Sequence, residues 1–517
     1  MRISYLRITV LPPHFCTHSI LMNNLRDLDK PNCNCGIVGI FNHPQASVMA
    51  YYALHALQHR GQEAAGIVAG ASNGNGMKFT SHKGEGLVLD VFSAPNILTE
   101  KLAGTTAIAH NRYSTTGSGG IANVQPFLTK YRSGTIAVAH NGNLTNTKAL
   151  RNQLQEEGAI FQTTTDSELF LHLIARSKHE TQLDQIREAL RIARGAYSLV
   201  IMTNDALVAA RDPYGFRPLC IGRKKVGDEW SYVVVSETCA LDIISAEYVR
   251  DIQHNEIVVI DDDTVKTGNI KSYRIDDETP CSKHCIFEYI YFSRPDSKIF
   301  GHNVDKVRRQ LGKNLAEESP VSTDDDKKVV VIAVPDSGNT ATLGYAAINN
   351  ELGNASSYEI GLIRSHYVGR TFIAPGQNNR EFKVKTKFNT VKGVLEGKKV
   401  VVVDDSVVRG TTSRSLINLI REAKPKEVHM RITSPPITHP CQYGMDFPSR
   451  EELIANHHDA IEGIASSLNA DSLHYLSVEK LMQSVPQEDG IGYCNACFTG
   501  DYPVQIDLNA HKLSTEE

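Results

Sequence analysis

The chain has 517 residues, with 54 Lys and Arg against 58 Asp and Glu and a formal net charge of −4. So even a balance excludes a partner held by bulk electrostatics, so neither nucleic acid nor a charged membrane surface is expected as a ligand. The length predicts two or three domains, no apolar run approaches the ~18 residues of a membrane span, and ten cysteines in so long a chain are not a disulfide framework.

Residues 1–34 do not read as folded structure. A short apolar stretch is broken by Pro12 and Pro13, and the polar tract after Met22 has no hydrophobic period. A transit or secretory peptide is an open reading of the segment, with an organelle address in residues 1–21 as the alternative to a cytoplasmic protein.

Cys35-Gly36-Ile37-Val38-Gly39-Ile40 then puts a thiol at the head of a predicted buried strand. A lone cysteine of this kind is more often a small buried hydrophobe than a nucleophile. Its company changes that reading: Leu57 to Glu63 (LQHRGQE), Ala109 to Gly117 (AHNRYSTTG), Ala139 to Leu144 (AHNGNL) and Thr165 to Glu168 (TDSE). In order and motif by motif these resemble the class II glutamine amidotransferase domain of the N-terminal nucleophile hydrolases. The resemblance implies that Cys35 becomes residue one by cleavage after Asn34. Its α-amine, with an ordinary pKa of about 7.7–8.0, would then serve as the base for thiol attack on the glutamine amide. It further implies an oxyanion hole from the Asn141 side chain and the Gly142 N–H. Arg112 is expected on the glutamine α-carboxylate, Asp166 on its α-ammonium, and Arg60 near the same substrate.

Glu168 to Ser177 has helical spacing, and short β runs with Pro and Gly turns follow. Among the turns, Asp212 to Leu219 (DPYGFRPL) is read as structural. Residues near 260–280 read as a domain edge.

In the second half the run Val329 to Val334 ends in Pro335 to Thr340 (PDSGNT), a strand running into a small-residue loop, with a helix expected after it. A long polar segment from Tyr367 to Asn389 reads as a functional or disordered loop. The family resemblance given below implies that it closes over substrate, with Lys383, Lys385 and Lys387 as candidate charges for pyrophosphate and plain solvated lysines as the alternative. Four consecutive valines, Val400 to Val403, predict a fully buried strand of a parallel sheet. Asp404 and Asp405 stand at its tip, a loop carrying Ser406, Arg409, Gly410, Thr411, Thr412 and Ser413 follows, and a helix is expected from Ser415 to Ala423. Strand, paired acids, small-residue loop and helix N-terminus make a phosphate cradle. This stretch resembles the phosphoribosyl pyrophosphate (PRPP) motif of type I phosphoribosyltransferases. The resemblance implies that Asp404 and Asp405 meet the ribose hydroxyls and Mg²⁺, that the loop holds the 5′-phosphate, and that a third metal contact lies near Ser337 or Gly338.

Four further cysteines remain: Cys285, Cys441, and the Cys-x-x-Cys pair Cys494 and Cys497. Such a pair suits metal binding, with zinc or plain reduced thiols as the open alternatives. Taken from residue 35 to 505, the chain resembles the glutamine PRPP amidotransferase family, and these cysteines match the [4Fe–4S] ligands of its iron–sulfur subgroup, which also has a cleaved leader.

The expected fold is α+β followed by α/β: an αββα sandwich, then a parallel-sheet phosphoribosyltransferase domain. The expected segments are 1–34 leader, 35–275 amidotransferase, 276–505 transferase with a cluster-binding end, and 506–517 tail. Glutamine and PRPP are the implied substrates, purine nucleotides the implied feedback ligands, and a homodimer or homotetramer the implied assembly. Two rivals are weighed against this reading. One is another class II amidotransferase, but neither a sugar-isomerase pattern nor an ATP-pyrophosphatase motif is present. The other is a PRPP-binding regulator without catalysis, which would have no reason to keep Cys35, Arg112, Asn141 and Asp166 together.

Overall fold

The computed structural model describes residues 35–72, 77–94, 96–113, 120–323, 328–365 and 380–506. The expected leader, the expected Asn34–Cys35 cleavage junction, Ser114 to Gly117, most of the expected closing loop and the last eleven residues lie outside them.

The first half is a four-layer sandwich. Strand β1 (Gly36–Phe41) is the middle strand of a seven-stranded antiparallel sheet, between β10 (Glu229–Val235) and β4 (Thr106–Arg112). A six-stranded antiparallel sheet lies against it, with β6 (Gly134–Leu144) and β7 (Gly195–Met202) side by side. Alternation along β1 shows why both its faces are buried. Val38 and Ile40 pack with Ala46, Ala50, Ala53 and Leu54 of helix α1 (Ala46–Ala56). Ile37 and Phe41 face the other sheet through Ala139, Val200 and Leu207. The outer face of the second sheet is covered by Leu169, Phe170 and Leu173 of helix α2 (Glu168–Arg176) and by Ile186 and Leu190 of helix α3 (Gln182–Ile192). The segment read as a domain edge carries the edge strand Lys271–Arg274 of this sheet.

The second half is built on a five-stranded, all-parallel sheet. Its order is Ser356–Tyr358, Val329–Ala333, Lys399–Asp404, Glu427–Ile432, Ser472–Tyr475. The four valines are each 0% exposed and divide between two cores, Val401 and Val403 on one face, Val400 and Val402 on the other. That is the signature of a central strand covered on both sides. Relabelled in chain order the strands run 2-1-3-4-5, so the direction of winding reverses between Val329–Ala333 and Lys399–Asp404. Ligands of open α/β sheets bind outside the carboxyl ends of the strands at such a reversal.

Two local expectations are corrected. The helix after the acidic pair starts at Thr411, four residues earlier than its apolar spacing suggests, because Gly410 sits at φ +79° and lets the chain turn straight into it. The end of the expected closing loop is ordered, as helix Arg380–Lys387 and strand Phe388–Thr390 paired with Leu362–Arg364. There Lys385 pairs with Glu422 at 2.6 Å on the surface. No helix among the described residues is long and apolar enough to cross a membrane.

Candidate active sites

Cys35 stands at the entry to β1. Its neighbour Gly36 donates its N–H to Asn111 Oδ1 at 2.6 Å, and the Cys35 thiol donates to the Tyr113 carbonyl at 3.5 Å. Burial pushes the thiol pKa up to about 11, against the opposing pull of that contact and of Arg112. In the chain as it stands the sulfur is therefore protonated at neutral pH, and attack requires a base. One cavity is lined by Cys35, Arg112, Gly142 and Asp166, together with His140 and Ser167. Arg112 ends β4 and is 5% exposed, and Asp166 is 3% exposed. Asp166 is held by the Leu144 N–H at 2.9 Å and by the Thr165 hydroxyl at 3.2 Å.

Asn141 lies in β6 opposite Ser198, between the cavity-lining residues His140 and Gly142. It is 0% exposed, and neither atom of its amide has a hydrogen-bond partner among the described residues. An orphaned buried amide costs about 1–3 kcal/mol, so its retention points to a ligand that pairs with it. Gly142 has φ +154°, and a Cβ there would fall 2.0 Å from the Ala196 carbonyl oxygen. No other residue fits that strand crossing.

Arg60 departs from expectation. It is fully buried, its Nε donates to the Cys35 carbonyl at 3.2 Å, and the rest of the guanidinium is taken by Glu237 and, at 2.7 and 3.0 Å, by Glu288. A guanidinium engaged on every edge has no fork left for a substrate carboxylate, so the substrate-binding expectation is corrected to a contact that holds the Cys35 backbone. Sequence reading missed Glu237, Glu288 and Arg217, which complete this buried network. Arg217 reaches both Glu288 and the Tyr443 carbonyl, so the turn read as merely structural ties the two halves together. A lone acid in the apolar run Cys285 to Phe292 was the available signal for Glu288.

At the sheet reversal, Asp404, Asp405 and Ser406 are each at most 2% exposed. Asp405 accepts from the Ser337 hydroxyl at 2.7 Å and the Ser406 hydroxyl at 2.8 Å, and its own N–H donates to Asp404 at 2.9 Å. Ser337, on the loop after Val329–Ala333, is thus brought to the acidic pair from the neighbouring strand. Thr411, Thr412 and Ser413 form the first turn of the following helix, which has no acidic residue and no side-chain cap at its N-terminus. Arg409 points to Glu452 at 3.2 Å on the surface.

The four cysteines are brought together from three segments. The short strands His284–Cys285 and Tyr493–Cys494 run parallel with Cys285 opposite Cys494. Cys497 lies in the turn of helix after them, and Cys441 accepts the Tyr443 N–H at 3.3 Å. All four are free thiols lining one cavity walled by Phe216, Phe287, Tyr443 and Phe447. Burial pushes Cys285 up to about 11, and Cys494 and Cys497 rise further through burial and mutual repulsion. Among the described residues no three His, Cys, Asp or Glu side chains close around a point as the ligands of a single ion would. The loop from Cys441 reaches the first site: Gln442 accepts from Asn143 at 3.0 Å, and Gly444 lies against Gly142.

Comparison with known proteins agrees with both halves. A family model described as a glutamine amidotransferase domain matches residues 110–242. The chain is 51% identical over 482 residues to the chloroplastic amidophosphoribosyltransferase of Vigna aconitifolia, covering 93% of this chain and 94% of that one. It is 47% identical to the amidophosphoribosyltransferase of Bacillus subtilis (strain 168), covering 93% of this chain and 96% of the relative. A solved structure of glutamine PRPP amidotransferase from B. subtilis, complexed with ADP and GMP, superimposes with TM-score 0.82 at 46% identity, covering 93% of this chain and 100% of that one. The chain belongs to the amidophosphoribosyltransferase family of purine biosynthesis, glutamine-dependent transferases that put nitrogen on PRPP.

Proposed function

We propose that the two sites divide the family's reaction between them. Cys35, freed as an N-terminal residue, attacks the side-chain amide of glutamine with its own α-amine as base, giving a thioester and ammonia. Asn141 and the Gly142 N–H receive the developing oxyanion, Arg112 the α-carboxylate and Asp166 the α-ammonium. Arg60 holds the Cys35 backbone. In the second half, Ser406, Arg409, Gly410, Thr411, Thr412 and Ser413 hold the 5′-phosphate, Asp404 and Asp405 hold the ribose hydroxyls, and ammonia displaces pyrophosphate to give 5-phosphoribosylamine. The observation that carries this reading is the convergence of Cys35, Arg112, Gly142 and Asp166 on one cavity beside an Asn141 amide with no partner of its own.

Two metal groups belong to the reading. Asp404 and Asp405, with Ser337 beside them, offer the hard oxygen donors that Mg²⁺ prefers, and the ion would neutralise pyrophosphate as it leaves. Cys285, Cys441, Cys494 and Cys497 would hold a [4Fe–4S] cluster. Four thiols lining one cavity supply the donor set of such a cluster, with zinc as the alternative. The cluster would tie the C-terminal segment to the rest of the chain. We further assign the segments 1–34, 35–275, 276–505 and 506–517 as leader, amidotransferase, transferase and tail. Purine nucleotides are the proposed feedback ligands, the assembly a homodimer or homotetramer, and the location cytoplasmic, with an address in residues 1–21 as the alternative.

The test is anaerobic purification followed by N-terminal sequencing, iron and sulfide analysis, and assays of phosphoribosylamine formation from glutamine and from ammonia. A chain starting at Cys35, active with both donors and carrying four irons and four sulfides, is expected. Activity with ammonia alone in such a processed chain would remove the glutaminase assignment, and zinc would remove only the cluster.

A further inference from the structure

We propose that His140 is a positioning residue of the glutamine site: one ring nitrogen takes the Ser167 proton, leaving Asp166 open to the substrate ammonium, while the other holds the oxyanion strand to its neighbour. This rests on the reading of Asp166 as the ammonium partner.

The argument is a proton inventory. His140 Nε2 lies 3.3 Å from the Ala196 carbonyl oxygen, which can only accept, so Nε2 carries a proton. The ring is 2% exposed, and burial drives its pKa down against the opposing pull of Asp166 and the Ala196 carbonyl. The imidazole is therefore neutral and Nδ1 is an acceptor. Ser167 Oγ lies 2.8 Å from Nδ1 and must donate to it. A hydroxyl has one proton, so Ser167 cannot also donate to Asp166 Oδ1, although that oxygen is only 3.3 Å away. The Ser167 oxygen accepts from Gln125 Nε2 at 3.0 Å. The Thr165 hydroxyl, 3.2 Å from both Ser167 Oγ and Asp166 Oδ1, serves one of them at a time. Asp166 thus has the Leu144 N–H and at most one hydroxyl, and an ionised carboxylate has about four acceptor positions. With the other tautomer, Nδ1 would give its proton to Ser167, and Ser167 would pass its own to Asp166, occupying a position an ammonium needs.

The same residue governs the neighbouring backbone. Its N–H donates to Gln125 Oε1 at 2.7 Å and its carbonyl faces His110 Nε2 at 3.2 Å. Its Nε2 packs 2.9 Å from where a Gly142 Cβ would lie, and its contact to Ala196 bridges β6 and β7 at that point. His140 thereby couples the ammonium end of the cavity to the oxyanion end.

The processed enzyme is assayed with glutamine and with glutaramate, the analogue without the α-amine, and ammonia-dependent synthesis checks the fold of each variant. His140→Gln keeps an N–H for Ala196 but offers no acceptor at Nδ1. We expect the glutamine KM to rise about tenfold with little change in kcat, and the preference for glutamine over glutaramate to fall by a similar factor. His140→Asn keeps an acceptor near Nδ1 but loses the reach to Ala196, so the preference for glutamine returns while kcat falls. Asp166→Asn is the control. If it abolishes the preference while His140→Gln leaves it intact, the His140 proposal fails and the Asp166 reading stands. If Asp166→Asn also leaves the preference intact, the Asp166 reading itself fails. Independently of any variant's folding, ¹⁵N-histidine spectra of the parent enzyme report the tautomer: neutral with Nε2–H is expected, and a protonated or Nδ1–H ring overturns the proposal.

Discussion

Asn141→Ala separates function from stability with opposite signs. The amide is fully buried and both of its polar atoms lack partners among the described residues, so the folded chain carries an unsatisfied group costing about 1–3 kcal/mol. Truncation to alanine removes that cost. It leaves a space of about 25–30 Å³, which at ~24 cal/mol per Å³ costs about 0.7 kcal/mol. The net expectation is a more stable protein by about 1 kcal/mol, seen as a urea midpoint raised by about 0.3 M for a slope of roughly 3 kcal/mol per M. Glutamine-dependent kcat should meanwhile fall about 10²- to 10³-fold, the usual effect of losing one oxyanion donor, while ammonia-dependent synthesis holds within about twofold. Urea titration followed by far-UV circular dichroism, run beside both assays, reads all three quantities. A lowered midpoint would mean that the amide is a structural group with a partner. An unchanged glutaminase rate would refute the oxyanion assignment.

Three other perturbations test the rest of the site. Gly444→Ala, at φ +103°, brings a Cβ to 3.1 Å from the Gly142 carbonyl carbon, so glutaminase activity should drop about tenfold with ammonia-dependent activity retained; parallel assays with the two nitrogen donors check it. Arg60→Met leaves Glu237 and Glu288 buried without their shared cation and should destabilise the chain by about 3–5 kcal/mol, read by urea denaturation. In the parent, burial alone would raise both carboxyls; His59 and Arg60 outweigh it at Glu237, and Arg60 and Arg217 at Glu288, so both lie below the usual range. Their contribution to stability is therefore present above an unfolded pKa of about 4.3 and lost as pH falls through the depressed folded values, and Arg60→Met should flatten that acid limb. Finally, burial raises the Cys35 thiol to about 11, so alkylation of the unprocessed chain by iodoacetamide should keep accelerating up to that pH; a plateau near pH 8 would contradict the buried, protonated thiol.

Much of this protein is written in local patterns. Four valines between charges predict a central strand because only burial on both faces tolerates them, and Val400 to Val403 divide between two cores accordingly. Cys35 before a glycine, AHNRY, AHNGN and TDSE each announce a piece of one cavity, and the DDS-to-GTTS loop announces a cradle at a strand tip. These are legible because each is a short run whose chemistry depends on adjacent residues. Arg60 was misread for the complementary reason: its motif carries a charge, but which carboxylates take that charge depends on Glu237 and Glu288, which lie 177 and 228 positions away.

The sequence by itself therefore determined the fold class, the buried strands at Cys35 and at the four valines, and the motifs that line the first cavity, since periodicity and turn chemistry act over a few residues. Only the tertiary structure decided that Ser337 meets Asp405, that the Cys441 loop presses Gly444 against Gly142, and that the Ser167 hydroxyl stands between His140 and Asp166. Each is a contact between segments distant in the chain, where closure of the sheets and the count of donors and acceptors in a buried space, and no local propensity, determine which groups pair.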